Sequence, residues 1–147
     1  MDTTTPPATS TLAVANVFLV VDDHEQALAF YRDVLGFTVV GDHSQGEFRW
    51  LSLTPPAQPD LVVTVQSVGG GPHTSDEDRA SIDTLLAKGL LTPVVLTCAD
   101  VDAVFEHVRA SGAEVIQEPM DQFYGVRDCA VRDPAGNLLR INQPLPG

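Results

Sequence analysis

Four histidines, two cysteines and a thin set of aromatics are the side chains in this 147-residue chain from which chemistry would be expected. His24 stands beside Asp22 and Asp23, His43 ends an apolar run, His73 lies in a Gly-rich stretch, and His107 falls on the polar side of a helical pattern. No two of them share the H-x-x-x-H or H-E-x-x-H spacing that sets two imidazoles on one helix face, so all four read as surface residues. Cys98 and Cys129 do not make a disulfide framework. No base and nucleophile are paired in the sequence. Aromatic residues are only 6% of the chain, so each one carries information. Phe48 and Trp50 stand two apart, as residues on one face of a strand do. They offer flat apolar surface for stacking.

The elements that must position these residues come from a unit that occurs twice. Val17-Phe18-Leu19-Val20-Val21-Asp22-Asp23 precedes a short helix that ends at Gly36. Val94-Val95-Leu96-Thr97-Cys98-Ala99-Asp100 precedes another, followed by Gly112. The repeat distance is about 77 positions. In the first unit the pattern predicts strands over 13–21, 37–43, 47–54 and 60–67 with a helix over 24–35. Asp23 and Gln26 have capping-box spacing, and Gly36 is placed as a C′ glycine. The helix stripe is Ala27, Leu28, Tyr31, Val34 and Leu35.

The second unit predicts strands over 92–98, 113–117, 124–131 and 138–142 and a helix over 101–111 capped by Asp100. Asp133-Pro134-Ala135-Gly136-Asn137 reads as a tight turn. A helix between Asp76 and Lys88 presents Ile82, Leu85 and Leu86. The expected organisation is a disordered tail 1–12 and one domain 13–147. That domain comprises a βαβββ module 13–68, a linker helix segment 69–90 and a second βαβββ module 91–144.

The motifs Phe30-Tyr31-x-x-x-Leu35-Gly36-Phe37, Asp100-Val101-Asp102, Tyr124-Gly125-x-Arg127 and Asp133-Pro134-x-Gly136-Asn137 resemble the glyoxalase, bleomycin-resistance and extradiol-dioxygenase superfamily, the vicinal oxygen chelate proteins. Phe48-Arg49-Trp50-Leu51 followed by Pro55-Pro56 is similar to a subgroup of small bacterial members. The resemblance spans about residues 13–144. It implies an α+β fold in which two paired βαβββ modules form a cup-shaped sheet, and it implies a homodimer.

The resemblance also implies where metal ligands would stand. The position of the first ligand holds Asn16, and its counterpart in the second unit is Pro93. The position of the last ligand, three residues after the turn asparagine, holds Arg140, and the corresponding first-unit strand offers Thr64 and Gln66. Divalent transition metals take imidazole, carboxylate or thiolate donors, whereas a guanidinium has no lone pair to give. No metal and no cofactor is therefore expected.

Strand alternation then sets what faces the cup. Asn16, Phe18 and Val20 face it if Val17, Leu19 and Val21 meet the helix; Phe48, Trp50 and Ser52 do so if Leu51 and Leu53 are core. Val95, Thr97, Leu138 and Arg140 face it from the second unit, and Asp128, Ala130 and Arg132 join them if Val131 is core. Phe123 and Tyr124 lie on a loop at the mouth. The expected ligand-binding set is Asn16, Phe18, Phe48, Trp50, Thr64, Gln66, Phe123, Tyr124, Asp128 and Arg140, with no catalytic residue assigned. Several of these have a second reading: Trp50 and Phe18 as packing, Asn16 as a partner of backbone groups, Arg140 as the ion-pair partner of Asp128.

The formal net charge of -12 excludes phosphate backbones and anionic membranes as partners. The Thr- and Pro-rich start lacks the pattern of a signal peptide, no apolar run is long enough to span a bilayer, and the chain reads as cytoplasmic. The expected function is metal-free binding of a small aromatic organic ligand, in the manner of a resistance protein that sequesters an antibiotic. The alternatives are a glyoxalase- or dioxygenase-like enzyme with an atypical metal site, and a ligand-free dimeric structural or regulatory protein.

Overall fold

The computed structural model describes residues 4–46, 48–67 and 74–147. The start of the expected linker, 69–72, and His73 lie outside the described residues. Ala8–Thr11 form one 3-10 turn with no buried residue. The first module is β1 (Asn16–Val21), α1 (His24–Tyr31), β2 (Thr38–Gln45), β3 (Phe48–Thr54) and β4 (Val62–Ser67). Helix α2 (Asp76–Ala87) follows, and then β5 (Val95–Thr97), α3 (Val101–Ala110), β6 (Glu114–Asp121), β7 (Val126–Arg132) and β8 (Leu138–Pro144). Two four-stranded sheets result, in the orders β1-β4-β3-β2 and β5-β8-β7-β6. Each has one parallel pair, β1 with β4 and β5 with β8, and antiparallel neighbours otherwise. This is the doubled βαβββ architecture expected from the repeat.

Local chemistry explains the helices. Asp23 accepts a hydrogen bond from the Gln26 N–H and Asp100 accepts one from the Ala103 N–H, which satisfies one otherwise orphaned donor at each start. Ser75 and Asp78 form a reciprocal capping box on α2. α1 is shorter than its periodicity predicts. It ends at Tyr31, and Arg32–Leu35 continue as turns until Gly36, at φ +81°, lets the chain reverse. β5 is likewise shorter than expected, three residues long, because the chain pairs with β8 only from Val95 onwards.

One continuous core lies between the helices and the inner faces of both sheets. Leu19, Val21, Leu51, Leu53 and Val65 from the first sheet meet Ala27, Leu28, Phe30 and Tyr31 of α1. Val101, Phe105 and Val108 of α3 and Cys129, Val131, Leu139 and Ile141 of the second sheet complete it. Burying each of the larger side chains contributes about 1.5–3 kcal/mol.

A polar staple crosses this core. The Tyr31 hydroxyl donates to Asp133 at 2.6 Å, and Asn137 Nδ2 donates both to Asp133 at 2.9 Å and to the Val20 carbonyl at 2.8 Å. Asp133 also accepts from the backbone N–H groups of Gly136 and Asn137. The turn expected from sequence is thus also a bolt between the modules. Burial and the adjacent Asp133 push the Tyr31 phenol well above its ordinary pKa, so it stays a donor. Gly136, at φ +109°, is forced twice over, because a Cβ there would overlap the Leu86 carbonyl oxygen. His107 is exposed on α3, as expected, and its Nε2 donates to the Val34 carbonyl at 2.7 Å, which ties α3 to the turns after α1. No helix among the described residues is long and apolar enough to cross a membrane.

Candidate functional site

The faces of the two sheets that turn away from the core carry the residues expected to bind a ligand. On the first sheet, Leu19, Val21, Leu51 and Leu53 occupy the core, which leaves Phe18, Phe48 and Trp50 on the opposite side. These three form one aromatic strip. Phe18 meets Trp50 edge-on with centroids 6.0 Å apart, and Phe48 stacks on Trp50 at 5.8 Å with the planes 25° apart. Phe18 is 49% exposed and Phe48 42%, so the strip is open ring surface rather than core. Trp50 is half-buried, as are Asn16 and Gln66. Thr64 is fully buried, and its hydroxyl has no partner among the described residues.

Register settles a correspondence that the sequence leaves open between Thr64 and Gln66. Phe18 pairs with Thr64 across β1 and β4 as Val95 pairs with Arg140 across β5 and β8. Phe18 and Val95 are equivalent in the repeat, so Thr64 is the counterpart of Arg140.

The second sheet carries a polar cluster. β7 and β8 pair Asp128 with Asn142 and Ala130 with Arg140, which sets Asp128 and Arg140 diagonally on one face. Arg140 Nη1 donates to Asp128 Oδ2 at 3.0 Å and to Gln117 Oε1 at 3.3 Å. Asp128 Oδ1 accepts from Gln117 Nε2 at 3.0 Å and from Gln122 Nε2 at 2.8 Å, and Oδ2 accepts also from the Tyr124 hydroxyl at 3.4 Å. The side chain of Asp128 is 3% exposed and that of Arg140 is 37%. Burial pushes the Asp128 carboxyl up, but donation from Gln122, Gln117 and Arg140 outweighs it and holds the group below its ordinary pKa. Asp128 is therefore an anion that anchors Arg140 by one nitrogen. The guanidinium keeps Nε and Nη2 without partners among the described residues, and neither is buried.

Gln117 and Gln122 were missed in the sequence. β6 is bulged on both sides of Gln117, so strict alternation cannot give its facing. The one available signal was Asp128 itself, since a carboxylate beside the core residue Cys129 on a strand must find donors. Tyr124 reaches Asp128, whereas Phe123 beside it is 98% exposed at the tip of the β6–β7 hairpin. Arg127 spans from Asp102 on α3 to Asp121 on β6 and so braces that hairpin.

Among the described residues no hydrogen bond, ion pair or ring contact joins the aromatic strip to the Arg140 cluster. Two clefts, of about 490 and 390 Å³, lie on the helical side around α1, Ser111–Glu114 and α3. Neither is lined by a residue of the expected binding set.

The residues at the metal-ligand positions do not fit a divalent metal. Asn16 and Arg140 stand on different sheets, Pro93 has no donor, and Arg140 is committed to a carboxylate. Among the described residues no group of three or more His, Cys, Asp or Glu side chains is arranged to hold an ion. Thiol chemistry is also disfavoured, because burial pushes Cys129 up to about 11 and raises Cys98.

Comparison with known proteins agrees with this architecture. UcmS2 has a solved structure that matches with a TM-score of 0.81 and 33% identity, over 89% of this chain and 97% of UcmS2. TnmS3, an antibiotic binding protein from Streptomyces sp. CB03234, matches with a TM-score of 0.70 and 26% identity, over 92% of this chain and 98% of its own. YetH of Bacillus subtilis (strain 168) is 26% identical over 132 residues, 88% of this chain and 97% of YetH. The family model for the glyoxalase/bleomycin resistance protein/dioxygenase superfamily matches residues 13–141, and the chain belongs to that superfamily.

Proposed function

We propose that this protein binds a small aromatic molecule without a metal and acts by sequestering it, as an antibiotic-binding protein of the cytoplasm does. The observation that carries the reading is the open strip of Phe18, Trp50 and Phe48, presented by the same fold that presents the half-free guanidinium of Arg140. Flat ring surface with a few directed donors is the composition of an organic-ligand site. The likeness to TnmS3, itself an antibiotic binding protein, supports the same class of ligand. The residues at the metal-ligand positions lack the donors that a metal-dependent lyase or dioxygenase of this fold needs.

The binding unit is a homodimer in this reading. In one chain the aromatic strip and the Arg140 cluster belong to separate sheets, and Phe18, Phe48, Val95, Met120 and Tyr124 leave apolar surface open to water. Exposed apolar side chains of this kind support a contact face in this reading. A second copy, related by a two-fold axis, brings one module's strip over the other's guanidinium. The ten residues of the expected set divide between the two walls: Asn16, Phe18, Phe48, Trp50, Thr64 and Gln66 on one, Asp128 and Arg140 on the other, with Phe123 and Tyr124 at the rim.

Native mass spectrometry with elemental analysis, followed by quenching of Trp50 fluorescence against planar antibiotics, tests the proposal. A metal-poor dimer with saturable quenching is expected. A stoichiometric transition metal would sink the metal-free reading, and silence across a broad panel would sink sequestration.

A further inference from the structure

Resting on the binding reading above, we infer that His43 is a specificity-determining residue of the same cup, whose protonation sets the charge that a ligand meets beside Trp50. Residue type alone leaves His43 as one surface histidine among four. Strand register gives it a place: it pairs directly with Trp50 across β2 and β3, and Gln45 pairs with Phe48. Directly opposed residues of antiparallel strands share a face, with Cβ atoms about 4.5–5.5 Å apart. His43 therefore stands on the side of the sheet that carries the aromatic strip.

The imidazole lies along that wall. A Cβ added to Gly41 would come 3.7 Å from His43 Nε2 and 3.8 Å from Ser52 Cβ, so the ring folds back over the glycine. His43 is exposed in the single chain and makes no hydrogen bond or ion pair among the described residues, which leaves both nitrogens open to a ligand. β2 is the edge strand of its sheet and pairs with β3 alone. The nearby charges lie on the other face. Asp42, which pairs with buried Leu51, is clamped by Arg49 at 3.0 and 2.7 Å, and Arg49 reaches Glu25 of α1 at 2.6 Å. Donation from Arg49 lowers the Asp42 carboxyl, and the imidazoles of His24 and His43 add to this. No other ionisable side chain among the described residues of the first sheet shares the cup face with His43.

Histidine is the side chain whose charge changes between about pH 5 and 8. Neutral, the imidazole offers one donor and one acceptor beside Trp50; protonated, it offers two donors and a full charge. A ring that stacks on Trp50 and covers the neutral imidazole displaces little hydration. Covering the imidazolium costs more, because a charge must be desolvated. An anionic group on the same ring recovers part of that cost. The opposite wall holds its charge through this range, since a guanidinium stays protonated and Asp128 is held below its ordinary pKa. His43 is thus the one group on either wall whose charge answers to pH near neutrality.

Trp50 is the only tryptophan in the chain, so its emission reads its own surroundings. A protonated imidazole quenches an adjacent indole. Emission of the ligand-free, full-length protein titrated from about pH 8 to 5 should therefore fall in one step, and His43→Gln, which keeps hydrogen-bonding capacity without titrating, should abolish the step. The ligand arm compares N-phenyl-1-naphthylamine, which is uncharged, with 8-anilinonaphthalene-1-sulfonate, the same ring frame bearing an anion, each followed by its own emission. The sulfonate-to-neutral affinity ratio should rise about fivefold or more over that pH range in the wild type, and by less than about twofold in His43→Gln. The inference is overturned if no emission step occurs, if the step survives His43→Gln, or if the ratio rises equally in both proteins. Failure of both probes to bind, with an emission step that depends on His43, supports the placement of His43 and overturns the binding proposal instead.

Discussion

Tyr31→Phe isolates the bolt between the two modules. The substitution removes one oxygen and leaves the ring, so the edge contacts of Tyr31 with Phe30 and Phe37, at 5.1 and 5.7 Å, persist. What is lost is a 2.6 Å donation to Asp133, a buried acceptor in a chain segment 102 residues away. A hydrogen bond to a charged group contributes about 1.5–3 kcal/mol. Asp133 retains the Gly136 and Asn137 N–H groups and Asn137 Nδ2, so it is not orphaned, and the loss should fall near 2 kcal/mol. A chain of 147 residues has an unfolding entropy of roughly 0.3 kcal/mol/K, so Tm should fall by about 6 °C. Urea or thermal unfolding followed by circular dichroism reads this directly. A double-mutant cycle with Asn137→Ala should show coupling above about 0.5 kcal/mol, because both side chains act on Asp133. A Tyr31→Phe loss below about 0.5 kcal/mol would refute the staple as a contributor to stability.

Gly136→Ala should fail to give folded, soluble protein, since the new methyl meets the Leu86 carbonyl and the φ is +109°. Gly125→Ala, at φ +92° with open space around it, should cost only about 1–3 kcal/mol, and a pair of thermal melts compares them. Trp50→Ala should weaken a planar aromatic antibiotic that binds the wild type by about tenfold in calorimetric titration with a small change in Tm, because the ring's partners Phe18 and Phe48 are themselves exposed. Asp128 has its folded pKa below the unfolded one, so its stabilisation is present above the unfolded value and is lost as pH falls through the folded value. The Tm gap between the wild type and Asp128→Asn should accordingly be constant from about pH 8 to 5 and close only below about pH 4. A gap that closes near pH 6 would contradict a depressed Asp128.

Much of the fold was legible because its signals are local. Asp23 and Asp100 are identifiable as caps from the three residues that follow them, and the Val101, Phe105 and Val108 stripe repeats at helical spacing. Alternation predicted Leu19, Val21, Leu51 and Leu53 as core, and they are buried. Helix length was less legible: Val34 and Leu35 keep the apolar pattern after the helix has ended, because turn residues pack on the core too.

The amino-acid sequence by itself determined the doubled βαβββ plan, the superfamily, and the lack of usual donors at Asn16, Pro93 and Arg140, since each follows from residue type and spacing along one stretch of chain. Only the tertiary structure decided how Arg140 is held. Its partners Asp128 and Gln117 arrive from β7 and from a doubly bulged β6, Asp128 is held in turn from the hairpin by Gln122 and Tyr124, and the register that gathers them is a property of paired strands. The same holds for the Tyr31–Asp133–Asn137 staple, whose members meet across more than a hundred residues. A lone arginine in the sequence suggests an anionic ligand; in the folded chain that arginine is already balanced by a buried carboxylate, with two nitrogens free. Charge is a property of the residue, but the charge a ligand meets belongs to the assembled site.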